Sequence, residues 1–205
     1  VMAFWGAPVR TDRHAHLACE AALKLHAALA QKQPLWEKQF GHRLSVRAGI
    51  DTGDLLVGDM GSELKSNYTV MGDAVGMAGR LEAANKQYGT QVLVGHTTAQ
   101  LASDAYVFRE VDRVLLGDRP QPVRVHELLG RREKQAGIAL YEKALTAYYG
   151  RDFIVAQELF RRCGVEHGDP VARVYVERCQ RLIQTPPPED WDGVIRWGRR
   201  STDAR

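Results

Sequence analysis

The spacing of apolar residues changes period several times along this chain, and each change predicts an element. Val1-Met2-Ala3-Phe4-Trp5 is an apolar run of strand length, read as a buried strand. Pro8 and the polar Arg10–Arg13 make a turn. Asp12 is a candidate N-cap for a helix to about Gln33, with Leu17, Ala21, Leu25, Ala28 and Leu29 at helical spacing and Pro34 following its end. In Leu44–Ile50 the apolar side chains alternate at period two. Asp51-Thr52-Gly53 has turn chemistry, and Leu55-Leu56-Val57 returns, so 44–58 reads as an antiparallel hairpin. A polar loop follows from Gly61 to Asn67. Tyr68–Met71 reads as a short strand, and Gly72-Asp73 opens a helix to about Tyr88 that Gly89 caps. Next come a strand at Gln91–Val94, a short helix at Thr97–Ser103, and strands at Tyr106–Leu116 and Val123–Leu129. Strands and helices mixed without strict alternation indicate an α+β fold.

From Arg131 the pattern becomes helical. Residues 133–149, 152–163 and 170–183 predict three helices, divided by Gly150-Arg151 and Gly168-Asp169-Pro170. Ala156-x-x-x-Phe160 matches part of the tetratricopeptide signature over little more than one repeat, and Tyr148, Phe153 and Phe160 are its expected core. Pro186-Pro187-Pro188 is a stiff extended segment, and the polar, basic tail is expected to be ordered only near Trp191. The expected organisation is a domain over 1–130, a helical extension over 131–185, and a Pro-rich segment with a tail over 186–205.

Composition narrows the function classes. Lys+Arg 28 against Asp+Glu 25 gives +3 over 205 residues, too little to argue for nucleic acid, and no dense basic tract precedes the tail. No apolar run approaches the roughly 18 residues of a membrane span. Cys19, Cys163 and Cys179 are few, far apart and odd in number, as in reduced cytoplasmic proteins. The chain opens inside an apolar run without an initiator Met, which reads as a fragment.

Several ordered motifs resemble the class III nucleotidyl cyclases. They are Val46-Arg47-Ala48-Gly49-Ile50-Asp51-Thr52-Gly53, Leu56-Val57-Gly58-Asp59-Met60-Gly61-Ser62, Tyr68-Thr69-Val70-Met71-Gly72-Asp73-Ala74-Val75 and Ala78-Gly79-Arg80-Leu81-Glu82. Val1–Pro8 resembles the family strand that follows its second metal-binding aspartate, and Pro122–Leu128 resembles the family's last strand. The resemblance covers 1–129. It implies a ferredoxin-like domain that lacks its first strand-helix portion. Pro186-Pro187-Pro188-x-Asp190-Trp191-Asp192-Gly193-Val194 is similar to the C-terminal extension of bacterial cyclases with an extracytoplasmic sensor and membrane anchors upstream.

The resemblance implies a reaction in which the ribose 3′-oxygen of ATP attacks the α-phosphorus and pyrophosphate leaves. Such chemistry needs metal ions on the reacting oxygens and cations on the phosphate oxygens. In the family, Mg2+ or Mn2+ sits on two aspartates upstream of the segment matching Val1, so no metal ligand is assigned here. Family members form head-to-tail dimers with composite sites, which implies a homodimer, with ATP as the small-molecule partner. Carried over by position, Arg80 stabilises charge on the α-phosphate, Thr69 reads the adenine edge, and Val70 and Val75 line the purine pocket. The grip on the terminal phosphates falls on Arg119 counting back from Pro122, or on Asp118 counting forward from Gly117. Arg119 is preferred, because a carboxylate would repel phosphate.

Gly76 stands where the family has asparagine. Residues 76 and 80 are i and i+4 and share a helix face, so the paired geometry is kept and the amide is lost. Three readings follow: an adenylate cyclase, a degenerate cyclase domain that dimerises without turnover, and a helical docking module beside a vestigial cyclase. Asp51 and Asp54 are read as turn residues rather than as a carboxylate pair.

Overall fold

In this computed structural model, residues 1–62, 65–116, 121–131 and 137–197 are described. The elements are α1 (His14–Phe40), β1 (Ala48–Ile50), β2 (Leu56–Ser62), β3 (Lys65–Met71), α2 (Asp73–Tyr88), β4 (Val92–Gly95), α3 (His96–Leu101), β5 (Tyr106–Leu116), β6 (Val123–Arg131), α4 (Ile138–Tyr149), α5 (Phe153–His167), α6 (Pro170–Gln184) and β7 (Ile195–Trp197). The fold is α+β, as the pattern predicted.

A five-stranded sheet runs in the order β1-β4-β6-β5-β7. β1 pairs with β4 and β5 with β7 in parallel, while β6 is antiparallel to both β4 and β5. β4 is buried along its whole length, and its alternating side chains feed two cores. Val92 and Val94 join Ala15, Cys19 and Ala22 of α1 with Ala99, Tyr106 and Leu128. Leu93 joins Met77, Leu81 and Tyr88 of α2 with Val111, Val114 and Val125. That second core is continuous with α4–α6 through Tyr141, Tyr148, Phe160, Tyr175 and Cys179. A register shift in β5 between Glu110 and Asp112 lets both Val111 and Asp112 face these helices.

Several sequence expectations are corrected. Val1–Trp5 forms no strand, and Val1, Met2 and Ala3 are exposed. No neighbouring strand among the described residues offers its backbone partners. The α1 N-cap is Arg13 rather than Asp12, and the helix continues through Pro34 to Phe40. Pro34 and Ala30 both face solvent, so water can satisfy the carbonyl that the ring leaves unbonded. The 44–58 hairpin does not form. β1 takes β4 as its partner through the α2 crossover, and β2 pairs with β3 instead, in a separate two-stranded sheet. Period-two alternation identifies a strand but not its neighbour. The expected polar loop at 61–67 is largely the end of that β2–β3 ribbon, with Ser62 opposite Lys65. The tail is ordered at Trp191, which packs against Tyr148 and Phe153, but order also continues past it into β7, which joins the main sheet.

Candidate active site on helix α2

α2 is held against the sheet by backbone contact. A Cβ on Gly49 of β1 would meet the Ala78 carbonyl oxygen and the Glu82 amide nitrogen well within 3.0 Å, so only glycine lets the helix approach this closely. Ala74, Met77, Leu81, Asn85 and Tyr88 form the buried stripe of α2. Asn85 is fully buried and its amide donates to the Ala48 carbonyl at 2.9 Å, while the Thr90 hydroxyl donates to its Oδ1 at 2.8 Å. Gly72 precedes the helix at φ 153, and Gly89 closes it at φ 69 in the left-handed region. Arg47 adds an exposed contact to Glu82 at 3.4 Å.

The opposite side of α2 presents Gly76, Gly79 and Arg80, all exposed. A Cβ at Gly76 or Gly79 would meet nothing within 4 Å. Arg80 makes no ion pair among the described residues, whereas Arg47, Arg109, Arg113, Arg161, Arg162 and Arg178 each have a carboxylate partner. An uncommitted guanidinium on a rigid helix can meet an incoming anion without first breaking a bond.

Thr69 and Val70 lie on β3, opposite Gly58 and Val57 of β2. As consecutive strand residues they face opposite sides of the ribbon. Val70 is buried and Thr69 is half-buried. Val75, in the first turn of α2, is half-buried next to the exposed Gly76. Phe4 reaches the ribbon at Tyr68, with ring centroids 6.2 Å apart. The structure thus brings Gly76 and Arg80 to one exposed face, and sets Thr69 and Val70 on the adjoining ribbon. Arg119 lies outside the described residues, as does the alternative Asp118. Asp51 lies against Gly95, where a Cβ would collide with its Oδ1, and the Thr52 and Thr98 hydroxyls meet at 2.8 Å. The reading of Asp51 as a hairpin turn residue is therefore replaced by a contact to the end of β4. No group of three or more His, Cys, Asp or Glu side chains among the described residues is arranged to hold a metal ion.

Two buried charged clusters escaped sequence reasoning. Arg109 bridges Glu127 at 2.6 Å and Asp169, and Arg178 pairs with Asp112 at 2.7 Å. Their partners lie far apart along the chain, and a charge on a strand gives no sign of where its counterion sits. His96 and His126 also stack, with centroids 5.2 Å apart, and Arg124 approaches His96 at 3.1 Å. Burial, then His96 and Arg124, pushes His126 down to about 4.

The family model described as the adenylate and guanylate cyclase catalytic domain matches residues 1–130. Adenylate cyclase 1 of Rhizobium meliloti is 35% identical over 130 residues, covering 63% of this chain and 20% of that protein. The chain therefore spans about a fifth of that relative's length. The crystal structure of the adenylyl cyclase CyaB from P. aeruginosa superposes with a TM-score of 0.51 at 25% identity, covering 64% of this chain and 68% of the other. The guanylyl cyclase Cya2 superposes with a TM-score of 0.54 at 26% identity, covering 64% and 66%. No helix among the described residues is long and apolar enough to cross a membrane.

Proposed function

The chain belongs to the adenylate and guanylate cyclase catalytic domain family, and from this premise we propose that it carries the C-terminal part of the catalytic domain of an adenylate cyclase, which converts ATP to cyclic AMP and pyrophosphate. The observation that carries the reading is Arg80, exposed and without a carboxylate partner among the described residues, on a helix fixed by Gly49 and Asn85. As the ribose 3′-oxygen attacks the α-phosphorus and the bond to pyrophosphate breaks, negative charge grows on the phosphate oxygens. A fixed guanidinium neutralises it without reorganisation. Thr69 contacts the adenine edge, Val75 packs near the purine, Val70 supports that pocket from the buried side of the β2–β3 ribbon, and Arg119 grips the terminal phosphates. Adenine over guanine is supported by Thr69 and by the likeness to a relative named as an adenylate cyclase.

The described residues supply no donor set for Mg2+ or Mn2+. In the intact protein the ions would be held by aspartates of the preceding family strands, across a homodimer, and would supply Lewis-acid activation of the reacting oxygens. In this proposal residues 1–130 are the catalytic unit, 131–185 are a tetratricopeptide-like buttress, and the protein acts in the cytoplasm, with any membrane anchor upstream. Gly76 supports a second reading, a cyclase-like domain that dimerises and has lost turnover.

Mixing tests the assignment. This chain is combined with a family protomer that keeps both metal aspartates but lacks its own equivalent of Arg80. Cyclic AMP is expected from the mixture and from neither partner alone. Arg80→Ala in this chain should lower the yield about 10²–10³-fold. A mixed dimer that forms and binds ATP but yields no product favours the degenerate reading.

A further inference from the structure

The C-terminal end of α2 is built into α6. Tyr88, the last residue of α2, is fully buried and its hydroxyl donates to the Asp112 carboxylate of β5. Arg178 of α6 pairs with the same carboxylate oxygen at 2.7 Å and reaches the Tyr88 hydroxyl at 3.4 Å. Asp112 is 0% exposed and Arg178 6%. One turn of α6 earlier, the Tyr175 hydroxyl donates to the Val111 carbonyl at 2.7 Å. The start of α6 is fixed as well. A Cβ on Gly89 would lie 2.7 Å from the Pro170 Cβ, so the first residue of α6 sits on the glycine that closes α2. Asp169 caps α6 through the Val171 amide at 3.0 Å and is itself held by Arg109.

A surface docking module has no need of buried charge at its root. Taking two ions out of water is costly, and a pair that loses one partner leaves the other stranded. An arrangement of this kind specifies geometry. Here the geometry it fixes is that of α2, whose C-terminal residue is joined to α6 and whose Arg80 lies eight residues back, about 12 Å along the same rod. An α-helix transmits displacement of one end to the other.

We propose that Tyr88, Asp112 and Arg178 are positioning residues for Arg80, and that α6 sets the catalytic helix through them. The inference rests on the reading of Arg80 as the phosphate-binding cation. It assigns the helical extension a role inside the reaction rather than on a partner.

Tyr88→Phe removes the shared hydroxyl and keeps the ring in the core. In a protein that carries the family's two metal aspartates, the expected result is a fall in kcat of about tenfold, with KM changed less than twofold. The same change made in an Arg80→Ala background should lower kcat no further, because it acts only through that arginine. Arg178→Lys, which keeps a cation beside Asp112 but loses the fork, should behave likewise if Tyr88→Phe folds poorly. Equal losses with and without Arg80 would show general destabilisation and overturn the proposal. Hydrogen exchange in this 205-residue chain gives a readout independent of turnover. Tyr88→Phe should speed exchange of α2 amides about tenfold and leave α1 unchanged. This local effect, together with no cyclic AMP from the protein that carries both metal aspartates, would remove the function and keep the coupling. Unchanged α2 exchange would remove the coupling, whatever the activity.

Discussion

Gly49 and Ala78 meet backbone to backbone: the Ala78 carbonyl oxygen occupies the space a Gly49 Cβ would fill. The glycine in the Arg47–Asp51 motif is thus a packing requirement. It sets the depth at which the helix carrying Arg80 seats on the sheet.

Gly49→Ala should therefore be among the most damaging small substitutions in the chain. The opposing atoms are main chain, so no side-chain rotation relieves the clash. The loss should be at least about 2 kcal/mol, read as a fall in Tm of about 4–8 °C for a chain of this size. A variant melting within 1 °C of the parent would show that α2 does not seat as described.

Arg151 should anchor the segment after α6. It has φ 65, uncommon for a residue with a side chain, and its guanidinium donates to the carbonyls of Pro188 at 2.6 Å, Glu189 at 3.1 Å and Pro187 at 2.8 Å. Arg151→Ala should leave the helices intact and make 186–191 the first site cut by a nonspecific protease. An unchanged cleavage pattern would mean that Trp191, packed on Tyr148 and Phe153, holds the segment unaided.

Much of this is written in local pattern and some is not. The extent of α2 and its glycine stop were legible because apolar spacing, Asp73 and Gly89 agree. The motif order around Arg80 pointed to α2 before any geometry, and Gly76 and Arg80 do lie together on its exposed face. Strand partners were not legible: Ala48–Ile50 looks the same whether its neighbour is β2 or β4. Nor was the union of α6 with α2. Gly89 reads as a cap, and nothing near it announces that Pro170, 81 positions later, lies upon it. Asp112 and Arg178 were invisible as a pair for the same reason.

Acid should unfold the protein partly through His126. Its folded value is held at about 4, first by burial and then by His96 and Arg124, against 6.5 when unfolded. Between those values the unfolded chain binds the proton and the folded chain does not. Stability is therefore complete above about pH 6.5 and falls as the pH drops toward 4, by about 3 kcal/mol from this ring. His126→Gln should flatten the difference in stability between pH 7 and pH 4.5. Parallel stability curves for the two proteins would assign the acid limb to other groups.

Gly76 allows the catalytic reading to be separated from helix stability. Family members carry asparagine there, one turn before the arginine. A Cβ at Gly76 meets nothing within 4 Å, and the same holds at Gly79. Gly79→Ala should therefore stabilise the chain by about 0.5–1 kcal/mol through helix propensity alone. Gly76→Ala should do the same and leave kcat unaltered. Gly76→Asn gains only a few tenths of a kcal/mol of helix propensity, less than Gly76→Ala, and adds an amide on the Arg80 face. A transition-state hydrogen bond is worth roughly 3–4 kcal/mol when ideally placed, and less when grafted. In a protein with both metal aspartates, Gly76→Asn should raise kcat about tenfold and leave KM within about twofold, because the contact is made in the transition state. If Ala raises kcat as much as Asn, the gain is helical order. If neither does and nucleotide still binds, Gly76 marks a domain kept for dimerisation, and Arg80 serves binding without turnover.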